Sequence, residues 1–371
     1  HSLPDRTTHC RHRGTVRAGK THAGIATMIP SPRRKDWQIG VIGTGSISDS
    51  HLNAYATDGW HVAALWNRTR ETAVAKRDAL ALTARVEKDW QQILADPAID
   101  IVDITLHPEH RTPIIEAALK AGKHVLSQKP FVTNLGSGER LVALADDMGV
   151  KLAVNQNGRY APHFQYMRDS VRNGKIGTLS SVHARVHWDH SWTAGTSFDD
   201  LEDLLLYDFG VHWFDFVASV AGDRVQTVTA TSTHAAGQAN RTPLLAQALI
   251  RLDGGQASLA FDGFTRYGPV DVTTITGSDG TLHSTGPDLN TQNVTLINVQ
   301  GIETPTLRGQ WFDDGFRGTM GELMCAIEEN REPLNGAREN LTSLALTFAA
   351  VHARQQNCEV EVGSVRALLN I

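Results

Sequence analysis

Three stretches of the chain combine residue types and spacings that could do chemistry. In Tyr207-Asp208-Phe209-Gly210-Val211-His212-Trp213-Phe214-Asp215, Asp208 and His212 stand four apart, on one face if the segment is helical, and Asp215 continues that stripe a turn later. A carboxylate beside an imidazole favours the charged ring, which suits a group that accepts a proton from an alcohol near neutral pH. The same spacing equally describes an amphipathic helix whose Asp and His merely pair. Lys129 ends a short apolar run that starts at His124, and Pro130 disfavours a helical conformation for the lysine before it. An ammonium so placed can hold a substrate hydroxyl and stabilise a developing alkoxide, although a Lys-Pro pair by itself is commonplace.

The third stretch is Gln38 to Ser48. Ile39, Val41 and Ile42 suit a buried parallel strand, and Gly43-Thr44-Gly45 turns into a helical segment. Such a turn aims backbone N–H groups and the positive helix end at a phosphate, and glycines let a pyrophosphate approach. Gly43, Gly45, Ser46 and Ile47 would line it, with Ser48 where a third glycine usually stands. The residue closing the next strand, which faces the adenosine ribose in this arrangement, falls at Asn67, followed by Arg68, Thr69 and Arg70. No carboxylate is present to bind both ribose hydroxyls, and guanidiniums stand where a 2'-phosphate could be gripped, which favours NADP; Asn67 can also hydrogen-bond the bare ribose of NAD, with Arg68 and Arg70 then solvated residues starting the next helix. His107 and His110 flank Pro108 at another strand end. We read His107 and Pro108 as packing in the cofactor loop and expect no metal, since no third ligand is near in sequence.

The elements that must position these groups can be read from periodicity. From 37 to 155 strands and helices alternate: strands at 39–42, 61–66, 100–106, 124–127 and 151–154, helices at 50–58, 69–82, 89–95 and 135–148. A further helix has Thr112 as N-cap, Pro113 at its first position and Gly122 at its end. This predicts a doubly wound parallel sheet. Beyond 156 the pattern changes to helices at 162–173 and 207–221, strands at 183–189, 225–233, 246–252, 256–261, 270–276 and 294–299, and two C-terminal helices. The expected fold class is α/β: an N-terminal Rossmann domain over 37–156 and an α+β domain over 157–371 with a large open antiparallel sheet for substrate binding and oligomerisation. Trp188, His190 and Trp192, with His183, His187 and Asp189, would either line the mouth of the cleft, where aromatic faces and short polar groups suit a polyhydroxylated ring, or equally belong to the sheet core and an interface. Arg159 and Tyr160 begin the second domain near it; Arg159 would hold either a substrate carboxylate or a backbone carbonyl.

At 371 residues, 41% hydrophobic and 20% charged, the chain has the composition of a soluble protein of two domains. No apolar run reaches the roughly 20 residues needed to span a bilayer. Residues 1–36 hold eight basic residues against Asp5 and Asp36, so this head is +6 and the rest, from a total of -5, is -11. An acidic body argues against nucleic acid as a partner. The head reads as a disordered leader, with Met28 as a natural start. Its four histidines (His1, His9, His12, His22) lack ligand spacing. Cys10, Cys325 and Cys358 are far apart, so a reducing cytoplasm is expected.

The glycine turn at 43–48, AGKHVLSQKP at 121–130, GKIGTL at 174–179 and DFGVHWFD at 208–215 occur in an order that resembles the Gfo/Idh/MocA oxidoreductases, which include glucose-fructose oxidoreductase and inositol dehydrogenase. The resemblance runs from about residue 37 to the C-terminus. It implies Lys129 as the catalytic lysine, His212 as the acid/base and Asp208 as its neighbour in the substrate site. The family's Glu-Lys-Pro motif stands here as Gln128-Lys129-Pro130, with Gln128 and Lys129 beside the cofactor. The resemblance also implies a cis bond before Pro130 and a homo-oligomer, dimer or tetramer, formed through the outer face of the sheet. The expected function is hydride transfer between NAD(P) and a secondary alcohol or carbonyl of a sugar, sugar derivative or cyclitol. The alternatives are a glycoside-cleaving enzyme that oxidises a ring carbon transiently with bound nicotinamide, and a non-catalytic nucleotide sensor.

Overall fold

The computed structural model describes residues 29–368. Most of the expected leader, with its four histidines and Cys10, lies outside them. Residues 33–36 are attached to the body: the Arg33 and Arg34 N–H groups donate to Glu328 at 3.0 and 2.7 Å, and the Arg34 guanidinium pairs with Asp36 and Asp100.

The first half builds β1 (Gln38–Ile42), α1 (Ser48–Asp58), β2 (His61–Trp66), α2 (Arg70–Ala79), β3 (Arg85–Val86), α3 (Trp90–Ala95), β4 (Ile101–Ile104), α4 (Pro108–Lys120), β5 (His124–Gln128), α5 (Leu135–Asp147) and β6 (Leu152–Asn155). The strands pair in parallel in the order β3-β2-β1-β4-β5-β6. Their apolar runs follow from coverage on both faces. The order reverses between β1 and β4, so the crevice that receives a ligand opens at the carboxyl ends of those two strands. α4 begins earlier than its sequence suggests: His107 is the N-cap and Pro108 the first residue, while Pro113 sits inside the helix. A proline there removes only the bond to the carbonyl of Glu109, in an exposed first turn that solvent reaches.

The second half contains α6 (Pro162–Arg172), β7 (Leu179–His187), a π-helical turn at Leu205–Phe209, α7 (Val211–Ala221), β8 (Val225–Thr233), β9 (Leu245–Leu252), β10 (Gly255–Asp262), β11 (Val270–Gly277), β12 (Gly280–Gly286), β13 (Asn293–Asn298), β14 (Gly301–Glu303), α8 (Trp311–Glu328), α9 (Ala337–Gln356) and β15 (Val360–Glu361). They form one open sheet, β14-β13-β12-β11-β7-β10-β9-β8-β15. It is mixed: the central pair β7–β10 is parallel, because the chain leaves β7 through α7 and a two-strand hairpin before returning from the same end. The other pairs are antiparallel. The sequence hides β12, whose buried face holds only Leu282 and Ser284.

α8 crosses back to the first domain. Its Phe316, Met320, Leu323 and Met324 are buried in one cluster with Trp37, Ile39, Val41, Leu52 and Tyr55, and Arg317 grips Asp58 of α1 at 2.7 and 2.8 Å. Although it lies far along the chain, α8 thus completes the face of the parallel sheet that carries α1. Among the described residues no helix is long and apolar enough to cross a membrane.

Candidate active site

At the β1–α1 turn, Gly43 has φ +108°, and a Cβ there would sit 2.7 Å from the Thr105 hydroxyl, so only glycine fits. Gly45 differs: nothing lies within 4 Å of where its Cβ would be. The N–H groups of Gly45, Ser46 and Ile47 have no acceptor among the described residues, and Ile47 caps α1 without a side-chain bond. Open space, free donors and a helix N-terminus fit a pyrophosphate. Ser48, in place of the third glycine, is fully buried and turns its hydroxyl onto the Gly45 carbonyl at 2.6 Å, which tightens the turn. Asn67 is engaged on both sides, accepting from the Thr44 N–H at 3.1 Å and donating to the Thr69 carbonyl at 3.1 Å. It clamps the turn, leaving exposed Arg68 and Arg70 without side-chain partners among the described residues at this strand end. His107 is exposed and Pro108 half-buried on the rim beyond β4.

Lys129 stands at the carboxyl end of β5, and the Lys129–Pro130 bond is cis. Its ammonium donates to the Asp208 carbonyl at 2.8 Å and to the Asp208 carboxylate at 3.1 Å. Arg111, fully buried on α4, donates to the Pro130 carbonyl behind this bend. Asp208 lies in the π-helical turn and His212 in the first turn of α7, with Gly210 between them, so the expected single helix is broken. The extra residue of the π turn breaks the simple four-residue stripe. Asp208 consequently bonds Lys129 rather than His212, and Asp215 is buried behind the site. The His212 Nδ1 is met instead by the Gln156 amide at 3.1 Å, and Gln156 in turn accepts from Asn340 at 3.3 Å. Burial, reinforced by the nearby Lys129 charge, holds the His212 pKa well below the ordinary histidine value, the reverse of the shift an Asp partner would give. The ring packs edge-on to Trp311, 5.3 Å between centroids, over Gly158, where a Cβ would sit 2.8 Å from Trp311 and 3.4 Å from Nδ1.

Other expected site residues are placed elsewhere. Arg159 is buried in a bidentate pair with Asp215, at 2.7 and 2.9 Å, and also meets Glu339 and the Leu334 carbonyl. With two carboxylates this near, its guanidinium is a cross-brace, not a substrate clamp. Tyr160 is buried against Gly318 of α8, its hydroxyl without a partner, and burial pushes its pKa up. Trp188 backs the Asp208 turn, its ring 4.8 Å from Phe209 and 6.0 Å from Trp213. Gln128 is buried below the crevice floor, its oxygen on the Lys129 N–H at 2.7 Å. The groups that sequence reading missed are Gln156, Asn157, Gly158 and Trp311. The signal was available in Asn155-Gln156-Asn157-Gly158, a polar run at a strand end like that of Lys129. Among the described residues no group of three His, Cys, Asp or Glu side chains is placed to hold a metal ion.

Residues 37–156 match the oxidoreductase family with an NAD-binding Rossmann fold named for GFO, IDH and MocA, and residues 164–283 match the C-terminal domain of the same family. The chain belongs to the Gfo/Idh/MocA family. Its relatives in this family include the D-apiose dehydrogenase of Paraburkholderia graminis, 27% identical over 90% of this chain and 92% of that protein. The inositol 2-dehydrogenase of Rhizobium meliloti is 23% identical over 88% of this chain and 99% of that protein. Among solved structures, an oxidoreductase from Agrobacterium radiobacter in complex with NAD+, L-tartaric acid and magnesium superposes with a TM-score of 0.79. It is 19% identical, over 89% of this chain and 99% of that one. A levoglucosan dehydrogenase in complex with NADH and levoglucosan gives 0.76 at 18% identity, over 88% and 100%. At these identities the structures establish the shared fold. As a Gfo/Idh/MocA protein the chain is an oxidoreductase with a nicotinamide-dinucleotide domain.

Proposed function

We propose that this protein interconverts a secondary alcohol and a carbonyl on a sugar, sugar derivative or cyclitol, with Lys129 and His212 as catalytic groups and Asp208 holding Lys129 and a substrate hydroxyl. The observation that carries the reading is the meeting of Lys129, from the end of a Rossmann strand, with the Asp208–His212 segment of the second domain. Bound nicotinamide supplies the hydride acceptor or donor. In the oxidative direction Lys129 hydrogen-bonds the substrate oxygen and stabilises its developing negative charge, while His212 Nε2 takes the hydroxyl proton. With Gln156 donating to Nδ1, the neutral ring carries its proton on Nε2 and is set to donate to a carbonyl, the reductive direction. Turning the Gln156 amide over, so that its oxygen accepts from Nδ1–H, sets the ring for oxidation. The relatives named for D-apiose and inositol, and the polar, aromatic surroundings of the site, support a polyol substrate. The sheet's outer face, with exposed Leu249 and Ile297, supports assembly of two or four copies, and the unpaired Cys325 and Cys358 suit a cytoplasmic setting.

A panel of sugars and cyclitols with free NAD or NADP tests this reading. Net cofactor reduction by a polyol is expected; cleavage of a glycoside without added cofactor would move the protein to transient oxidation and elimination. We further propose a preference for NADP, supported by exposed Arg68 and by the lack of a carboxylate at the end of β2. Arg68→Ala is expected to weaken NADP binding about tenfold or more, with NAD affinity within about twofold, in a titration of each cofactor. Equal losses for both would remove the phosphate grip.

A further inference from the structure

Beneath Lys129 runs a chain of buried polar groups that the steps above do not use. Asp103, fully buried in β4, accepts from the Tyr55 hydroxyl at 2.6 Å, and the same oxygen lies 2.8 Å from His51 Nδ1. His51, on α1 and 1% exposed, has its Nε2 3.0 Å from the Gln128 amide nitrogen and 3.1 Å from that of Asn155. The Gln128 oxygen is 2.7 Å from the Lys129 backbone nitrogen and 3.3 Å from the Asn155 amide.

The protonation states follow from the two ends of the chain. A backbone N–H can only donate, so the end of Gln128 that meets Lys129 is its oxygen, and the end that meets His51 is its NH2. His51 Nε2 must then be a lone pair. A neutral ring with a bare Nε2 carries its proton on Nδ1, where it faces the Asp103 carboxylate. Asn155 adds a second donor to the same lone pair, its own oxygen fixed by the Thr319 hydroxyl at 2.6 Å. An imidazolium would set N–H against N–H at both amides.

We propose that His51 is a positioning residue for Lys129: locked as the Nδ1–H tautomer by Asp103, it dictates which end of the Gln128 amide supports the Lys129 backbone. Glutamine at 128 keeps this support free of a titrating proton. Glutamate there would place a carboxylate oxygen against the bare Nε2, and the contact would form only by taking up a proton. The titratable groups facing the ring are Tyr55 of its own helix and Asp103 of β4. β5, β6 and α8 present Gln128, Asn155 and Phe316, which do not titrate.

The effect on turnover rests on the catalytic reading of Lys129; the tautomer does not. With [15N]histidine-labelled full-length protein, the ring signal lost in His51→Gln assigns His51. Its nitrogens are expected to report a protonated Nδ1 and a bare Nε2. In Gln128→Glu, with a carboxylate oxygen facing Nε2, the ring is expected to gain an Nε2 proton at the acid end of the range from about pH 5 to 8. On the polyol found in the panel, kcat of that variant is expected to fall about tenfold relative to the unmutated enzyme as pH rises through it, with KM for the cofactor unchanged. Adding His51→Gln, whose amide NH2 can meet the carboxylate, is expected to abolish that pH step. A wild-type His51 protonated on Nε2, or a Gln128→Glu variant with unaltered ring and pH profile, overturns the proposal. If Lys129→Ala keeps full turnover, the catalytic reading fails, and the ring measurement still decides the His51–Gln128 pairing.

Discussion

Replacing Lys129 by alanine is expected to lower kcat roughly a thousandfold or more while leaving cofactor affinity nearly unchanged. The two effects separate because the groups lie on different strand ends. The phosphate turn follows β1 and is built from backbone N–H groups and Ser48, none of which touches Lys129. The ammonium, held by Asp208 at 2.8 and 3.1 Å, is the cation poised where the second domain meets the crevice. Without it an oxygen gaining negative charge loses its charged donor, a loss felt in the transition state far more than in binding. Removing the lysine also leaves Asp208 half-buried and unpaired, so a melting curve should accompany the kinetics. A folded variant with normal turnover would take Lys129 out of the mechanism.

The second large effect concerns His212. Its replacement by alanine is expected to cost roughly a hundred- to ten-thousandfold in kcat/KM, the range for a lost acid/base group. The pH profile makes the test specific. Burial and the Lys129 charge lower the ring's pKa, so the neutral form persists on acidification past the ordinary histidine value of about 6.5. Oxidation by the unmutated enzyme should therefore hold its rate through that pH and fall only below it, as the ring protonates and can no longer accept. In His212→Ala this acid limb should vanish. A limb at or above the ordinary histidine value would contradict the placement of the ring beside Lys129, and an unchanged profile in the variant would assign the proton to another group.

How much of this was legible in the chain varies by residue. β2 and β8 run where their periodicity puts them, and Lys129 falls at a strand end as its apolar run and Pro130 require. The Asp208–His212 pairing was misread because spacing by four describes a regular α-helix, and the π turn that displaces Asp208 toward Lys129 leaves no simple periodic mark. For Arg159 the sequence leaves a substrate carboxylate and a backbone carbonyl open, and the structure gives it the Leu334 carbonyl together with Asp215. An arginine near a cleft and an arginine braced by a buried carboxylate look alike until the position of Asp215 is known.

By itself the sequence determined the local chemistry: the glycine turn with its free donors, the strand carrying Lys129, the helix carrying His212, and the alternation that makes a parallel sheet. Those properties depend on neighbours in the chain, through backbone sterics and side-chain periodicity. Only the tertiary structure decided the partners. Asp208 bonds Lys129 across 79 positions, Gln156 meets His212 across 56, and His51 reaches Gln128 across 77. Each of these contacts is set by how two elements pack, and packing is chosen by the burial of whole faces, such as that of α8 on the parallel sheet, rather than by the polar residues that end up facing each other.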